Sequence, residues 1–147
     1  MTASPQRLLN LRIDGRVSLV TVDFVRTALA CDAEEVVSRI EAGELRWAFD
    51  LSTGKGEVRE IRIWAACLTD PDRAAGALEP EMIADVIGGN PDEPEVRAAR
   101  LERRWVVSTQ TFRRLRQADD IIGRVNGRTL WLSRPSLTAF LQRRLIR

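Results

Sequence analysis

The sequence lacks two side chains on which much enzyme and metal chemistry depends. None of its 147 residues is a histidine or a tyrosine, and Cys31 and Cys67 are its two cysteines. Serine–histidine triads, cysteine–histidine proteases and histidine-ligated metal sites are therefore excluded. Composition does not exclude an enzyme built from Asp, Glu, Arg and Ser, but no paired carboxylates stand in a pocket-like pattern. We expect no catalytic residues, no bound metal and no cofactor.

Long apolar runs are also missing. No stretch approaches the roughly 18 apolar residues required to span a bilayer, and residues 1–11 lack the apolar core of a signal peptide. The cysteines stand 36 positions apart in helical patterns, which favours buried thiols in a reducing compartment. The sequence therefore predicts a cytoplasmic protein without a membrane partner.

Positive charge is unevenly distributed along the chain. The 23 basic residues, of which 22 are arginine, leave a net charge of +2. Residues 1–70 carry a net charge of −2, residues 71–95 carry −6, and residues 96–147 carry +10. A GC-rich genome accounts for much of the arginine bias, but not for this segregation. A block with ten excess positive charges is expected to attract a polyanion.

The first half of the chain has the pattern of a hairpin followed by two helices. Apolar and polar residues alternate on both sides of Asp14-Gly15, which predicts an N-terminal β-hairpin. Thr21 is the expected N-cap of a helix that runs to about Ala30. Asp32 is the expected N-cap of a second helix, which Gly43 ends.

The periodicity then changes from helical to alternating. Residues 45–51 and 58–63 alternate apolar with polar side chains on either side of a turn at 53–56, which predicts two paired strands. Helix, turn, helix and a two-stranded wing is the order of a winged helix-turn-helix domain.

A stretch rich in Pro, Gly and acidic residues separates this unit from the basic end. We interpret it as a connector with one short helix over about 80–87, and the best domain boundary lies at 88–93. The expected organisation is a hairpin plus first unit at 1–70, a connector at 71–94 and a second, basic unit at 95–147.

The second unit aligns with the first when the expected caps Asp32 and Ser108 are superimposed. At this offset of 76 positions the core positions match except for Ile40, which meets Arg116. The matched pairs are Val25 with Leu101, Leu29 with Trp105, Cys31 with Val107, Val36 with Phe112, and Leu45 with Ile121. Beyond the wings the offset becomes 69, with Ile63 meeting Leu132. The predicted fold is therefore α+β and mostly helical, with tandem winged helix-turn-helix units behind an N-terminal hairpin.

Segments of both units resemble the excisionase and MerR-like winged helix-turn-helix group. They are residues 21–25 (TVDFV), 29–32 (LACD), Val36 and 40–45 (IEAGEL) in the first unit, and 108–115 (STQTFRRL) and 130–141 (LWLSRPSLTAFL) in the second. The resemblance implies a non-catalytic protein that binds double-stranded DNA, with the second helix of a unit in the major groove and the wing beside it. The second unit departs from the pattern at Arg116 and Asp119, where an apolar residue and a glycine are usual.

Helical spacing indicates which side chains would face DNA. In the second unit the outward positions hold amide, hydroxyl and guanidinium groups, which pair with bases and phosphates. The predicted DNA-binding residues are Thr109, Gln110, Arg113, Arg114 and Gln117 on the helix, Asn126 and Arg128 on its wing, and Lys55 and Arg59 on the first wing. Arg143, Arg144 and Arg147 would extend the positive charge along the last helix.

The equivalent positions of the first unit hold Ala33, Glu34, Val37, Ser38 and Glu41. Carboxylates repel phosphate, so this helix is either a solvated face or a surface for a protein partner. We therefore expect a nucleoid-associated transcriptional regulator or excisionase-like factor. The alternative is a protein-interaction module that keeps the winged fold without DNA binding. Because helix-turn-helix proteins often dimerise, we also expect that the protein can form a homodimer.

Overall fold

The computed structural model describes residues 16–53 and 58–146. Within these ranges the chain is an α+β fold in which about half of the residues are helical, and it contains two small antiparallel sheets of three strands each. Most of the hairpin predicted around Asp14-Gly15 and the tip of the first wing, including Lys55, lie outside the described residues. Across the described ranges, no helix is long and apolar enough to cross a membrane.

The first unit contains a strand, two helices and two further strands. In chain order these are β1 (Leu19–Thr21), α1 (Val22–Leu29), α2 (Ala33–Glu41), β2 (Ala48–Asp50) and β3 (Ile61–Trp64). The predicted caps are confirmed, because the Thr21 hydroxyl accepts from the N–H of Phe24 and the Asp32 carboxylate accepts from the N–H of Glu35. Strand β3 pairs with β1 on one side and with β2 on the other.

Three helices follow β3, and two of them lie in the acidic stretch, where the sequence predicts one. They are α3 (Ala66–Thr69), α4 (Pro71–Gly76) and α5 (Glu79–Ile87). Asp70 explains the second of them, because its carboxylate accepts from the N–H of Arg73 and Pro71 begins the helix. The predicted helix is α5, and its buried face places Met82, Val86 and Ile87 in the core.

The second unit has the same order of elements and ends with one more helix. The elements are β4 (Glu95–Arg97), α6 (Ala98–Trp105), α7 (Thr109–Gln117), β5 (Gly123–Asn126), β6 (Thr129–Ser133) and α8 (Arg134–Arg144). Its sheet again places the last strand, β6, between the other two. The bounds of β4, α6 and α7 equal those of β1, α1 and α2 shifted by 76 positions.

Backbone conformations recur at the same offset. Ala30 and Val106 end their helices with φ angles of +53° and +52°, and Gly43 and Asp119 follow the next helices with φ angles of +83° and +59°. Aspartate adopts this left-handed conformation more readily than most residues, which explains how Asp119 takes the place of a glycine. Ser108 stands at the N-cap position of α7, but its side chain makes no capping hydrogen bond.

One apolar cluster extends through both units and the acidic stretch between them. It includes Phe49 of the first unit, Met82 of α5 and Phe112 of the second unit. Trp47, Trp64 and Trp105 are almost fully buried, and their indole N–H groups donate to Ala74 O, the Asp85 carboxylate and Val86 O, respectively. These three tryptophans therefore pack in the core, and each satisfies its indole N–H there.

Direct contacts also join the two units. The Arg62 guanidinium on β3 donates to Val106 O at 2.8 Å and to Trp105 O at 3.1 Å, at the end of α6. Near the C-terminus, Ile146 N donates to Ala48 O at 2.8 Å, beside strand β2. The Arg62 bonds join the end of α6 to the first sheet, and the Ile146 bond joins the segment after α8 to the same sheet.

Candidate nucleic-acid interface

A concave surface of about 620 Å³ lies between helix α7, the start of α6 and the β5–β6 wing. We call it the helix–wing groove. Its charged and polar lining residues are Arg97, Glu102, Thr109, Arg113, Arg116, Gln117, Arg128 and Thr129. The wing residues Val125, Gly127 and Leu130 form the opposite wall.

Helix α7 presents its polar face outward because its apolar face is anchored in the core. Phe112 and Leu115 are buried, and Phe112 lies 5.5 Å from Trp105 between ring centroids. Of the five outward positions predicted from helical spacing, Thr109, Gln110, Arg113 and Gln117 are exposed. The fifth, Arg114, is half-buried, and its guanidinium lies 3.9 Å from the Glu60 carboxylate of the first unit.

The structure brings some of the predicted residues together and leaves others apart. Four line the helix–wing groove: Thr109, Arg113, Gln117 and Arg128. Gln110, Arg114 and Asn126 do not line it, although Gln110 and Asn126 are exposed on the same helix and wing. Arg59 belongs to the first unit, where it lies 3.8 Å from the Asp50 carboxylate.

Two arginines that the sequence interpretation did not select also line the groove. Arg97 precedes α6, and its guanidinium lies 6.0 Å from the centre of the Trp131 ring. The Arg116 Nε donates to Gly123 O at 3.1 Å, so its side chain lies along the base of the wing. The counterpart of Arg116 in the first unit is Ile40, which is buried. This break in the apolar pattern was the signal that could have identified Arg116.

One acidic side chain lies among the arginines of the helix–wing groove. Glu102 is half-buried in the helix–wing groove and accepts a hydrogen bond from the Thr109 hydroxyl. The hydroxyl proton of Thr109 is therefore already used in a hydrogen bond within the protein. The helix–wing groove is strongly positive, because its single carboxylate is outnumbered by four arginines, Arg97, Arg113, Arg116 and Arg128.

Several arginines of the basic segment bind within the protein instead. The Arg124 guanidinium forms two bonds to the Glu95 carboxylate, at 2.7 and 2.8 Å, and these bonds lower the pKa of Glu95 below its usual range. The Arg144 guanidinium lies 3.1 Å from the Asp120 carboxylate, and Arg143 donates to Asp120 O at 2.8 Å. The net charge of the segment therefore overstates the positive charge offered to a ligand.

The equivalent face of the first unit is acidic, as the sequence predicts. Ala33, Glu34, Val37, Ser38 and Glu41 line a shallow hollow of about 330 Å³ on helix α2. Within this hollow Val37 is half-buried, and the two glutamates are exposed. None of the five residues that line the hollow carries a positive charge that could bind a polyanion.

Comparison of the chain with protein-family models, curated proteins and solved structures gives no match. Within residues 16–53 and 58–146, no three His, Cys, Asp or Glu side chains are grouped so that they could hold a metal ion. The assignment of a function therefore depends on the geometry and charge of the helix–wing groove.

Proposed function

We propose that the protein binds double-stranded DNA through its second unit, with α7 in the major groove and the β5–β6 wing along the adjacent backbone. The observation that carries the proposal is the helix–wing groove, where four arginines surround one carboxylate between an exposed helix face and a hairpin. Phosphate contacts supply most of the affinity of such proteins, and side chains at base edges supply the sequence preference.

The dimensions and side chains of α7 suit this role. An α-helix with its side chains is about 10–12 Å across, which matches the width of about 12 Å of the major groove. Gln110 and Gln117 can pair with adenine, and Arg113 can pair with guanine. Arg97 and Arg128 lie on either side of the helix–wing groove, where they would neutralise backbone phosphates.

The repeated topology supports a tandem winged helix-turn-helix assignment. Each unit has the order strand, helix, helix and hairpin, with the last strand between the other two. In winged folds this arrangement presents the second helix and the hairpin on one side of the domain. We infer that the protein acts as a transcriptional regulator or excisionase-like factor without catalysis.

Charge reversal in the helix–wing groove tests the proposal. The double variant Arg113→Glu and Arg128→Glu changes two exposed side chains. Since each specific contact is worth about 1–3 kcal/mol, we expect at least about 30-fold weaker binding of mixed genomic DNA fragments. Fluorescence anisotropy at several salt concentrations measures both the affinity and its salt dependence. The matched control is Arg26→Glu on α1, which lies in the first unit and forms a local pair with Asp23.

Binding within twofold of wild type, with the same salt dependence, would overturn this assignment. A second candidate function is a protein-interaction module, which the acidic hollow on α2 favours because Val37 lies there between Glu34 and Glu41. It predicts that the wild-type protein does not shift DNA fragments at about 50 mM salt.

A further inference from the structure

A second basic surface, of about 570 Å³, lies on another side of helix α6. We call it the arginine cleft. Its lining residues are Arg16, Arg97, Ala99, Arg100, Arg103 and Arg104. Arg97 and Ala99 line the helix–wing groove as well, so the two basic surfaces meet at the start of α6.

Two of these arginines are held in place by the end of helix α5. The Arg100 Nη2 donates to Ile87 O at 3.0 Å and to Gly88 O at 3.1 Å, and the Arg104 Nη2 donates to Asp85 O at 2.6 Å. The last carbonyl groups of a helix carry partial negative charge and lack partners within the helix. The guanidinium groups therefore satisfy these carbonyls, and their own positions are fixed before any ligand arrives.

The chain leaves space for these guanidinium groups with two consecutive glycines. Gly88 and Gly89 both have φ angles of +73°. A Cβ atom at Gly88 would lie 2.6 Å from the Arg104 Cζ, and a Cβ atom at Gly89 would overlap the Arg100 guanidinium. A side chain at either position would displace the arginine beside it. This glycine pair was interpreted from the sequence as part of a domain boundary, and it also shapes one wall of the arginine cleft.

Four of the five arginines of the arginine cleft form no ion pair with a described carboxylate. Within the part of the chain that the structure describes, no carboxylate lies within 4.0 Å of Arg97, Arg100, Arg103 or Arg104. Burial lowers the pKa of Arg104, and the charge of Arg100 adds to this shift, while Asp85 opposes it. The Asp85 carboxylate accepts from Trp64 and lies 3.5 Å from Arg73, on the other side of the α5 end. The cleft is thus a preformed positive site that an anion would stabilise.

We propose that the arginine cleft binds a second run of backbone phosphates on the DNA duplex that occupies the helix–wing groove. This inference rests on the proposed function. Arg97 lines both surfaces, so the DNA backbone would meet a positive charge where the two surfaces join. One molecule then covers more of the duplex than α7 and its wing alone, and part of its affinity comes from the far side of α6.

The test compares a short duplex of about one helical turn with a longer one of about two turns. The variant Arg16→Glu and Arg103→Glu reverses two exposed charges of the arginine cleft and leaves Arg100 and Arg104 in place. We expect it to weaken binding of the long duplex at least tenfold and of the short duplex less than threefold. The slope of the logarithm of affinity against the logarithm of salt concentration, measured with the long duplex, should become less steep by about 0.9 for each lost phosphate contact. A melting temperature equal to that of the wild-type protein shows that the variant is folded.

A long-duplex affinity and salt slope equal to those of wild type would overturn the proposal. Titration with inorganic tripolyphosphate in a calorimeter gives an independent readout of the arginine cleft. Binding to wild type but not to the double variant, together with wild-type binding of the long duplex, supports the assignment. If wild type binds tripolyphosphate but neither duplex, the proposed function fails, and the cleft serves a free polyphosphate instead of DNA.

Discussion

Helices α2 and α7 occupy equivalent places in the two units but present opposite charges to solvent. Both are nine residues long, and their bounds differ by 76 positions. Their inward residues are similar, with Val36 buried in one and Phe112 in the other. Their outward residues are not, because Val37 on α2 corresponds to Arg113 on α7. Inward positions therefore keep the same fold in both units, whereas outward positions set the charge that each unit presents to solvent.

The two units also differ in how firmly their first helices are held. Trp105 on α6 is fully buried and its indole donates to Val86 O at 2.9 Å, whereas its counterpart Leu29 on α1 is half-buried. We expect Trp105→Ala to lower the free energy of unfolding by about 3–5 kcal/mol. Leu29→Ala should lower it by about 1–2 kcal/mol, because less apolar surface loses its contacts.

Urea denaturation followed by circular dichroism measures both variants against wild type. Equal losses for the two substitutions would show that the units contribute equally to the stability of the fold. That result would remove the distinction between a strongly anchored second unit and a less buried first one.

The N-caps of α2 and α7 provide a smaller test of the same comparison. Asp32 accepts from the N–H of Glu35 at 2.8 Å, whereas the Ser108 side chain makes no capping bond. We expect Asp32→Ala to cost about 1 kcal/mol of unfolding free energy. Ser108→Ala should cost less than about 0.5 kcal/mol, as exposed substitutions usually do. Thermal or urea denaturation distinguishes the two, and a larger loss for Ser108→Ala would contradict the observed capping.

The smallest expected effect concerns one carboxylate in each sheet. Hydrogen bonds from Arg124 lower the pKa of Glu95. Burial raises the pKa of Asp50, but the N–H groups of Ser52 and Glu60 outweigh it, so this pKa is also lowered. We expect Arg124→Ala to return the pKa of Glu95 to its usual range and to leave that of Asp50 unchanged, as measured by NMR titration.

The sign of the pH dependence follows from these lowered values. A carboxylate with a lowered pKa in the folded state stabilises the fold above its ordinary pKa, and the stabilisation is lost as the pH falls through the lowered value. The difference in stability between wild type and Arg124→Ala should therefore shrink in acid, below the ordinary glutamate range. A difference that grows on acidification would contradict the Arg124–Glu95 pairing.

Local patterns of the sequence were sufficient to predict several features of the fold. Thr21 and Asp32 act within one helical turn, so their capping roles could be inferred from spacing alone. Four of the five outward positions of α7 that the helical period predicts are exposed, and Arg114 is the exception. These features depend on neighbours in sequence, which the sequence displays directly.

Features that depend on distant contacts could not be predicted. Arg100 and Arg104 bind carbonyl groups at the end of α5, more than ten positions earlier in the chain. Arg134 donates to Glu93 O and Gly88 O in the same region. In a charge count these side chains are indistinguishable from Arg113, which is exposed in the helix–wing groove. The sequence therefore located the basic segment but could not separate its structural arginines from its candidate ligand-binding ones.

Site-specific photocrosslinking from equivalent positions of the two units measures directly which helix contacts DNA. A photoreactive amino acid replaces Gln110 on α7 in one variant and Glu34 on α2 in another, both of which are exposed. We expect crosslinks to duplex DNA from position 110 and none above background from position 34. Crosslinks of equal yield from both positions, or from position 34 alone, would contradict DNA binding through α7.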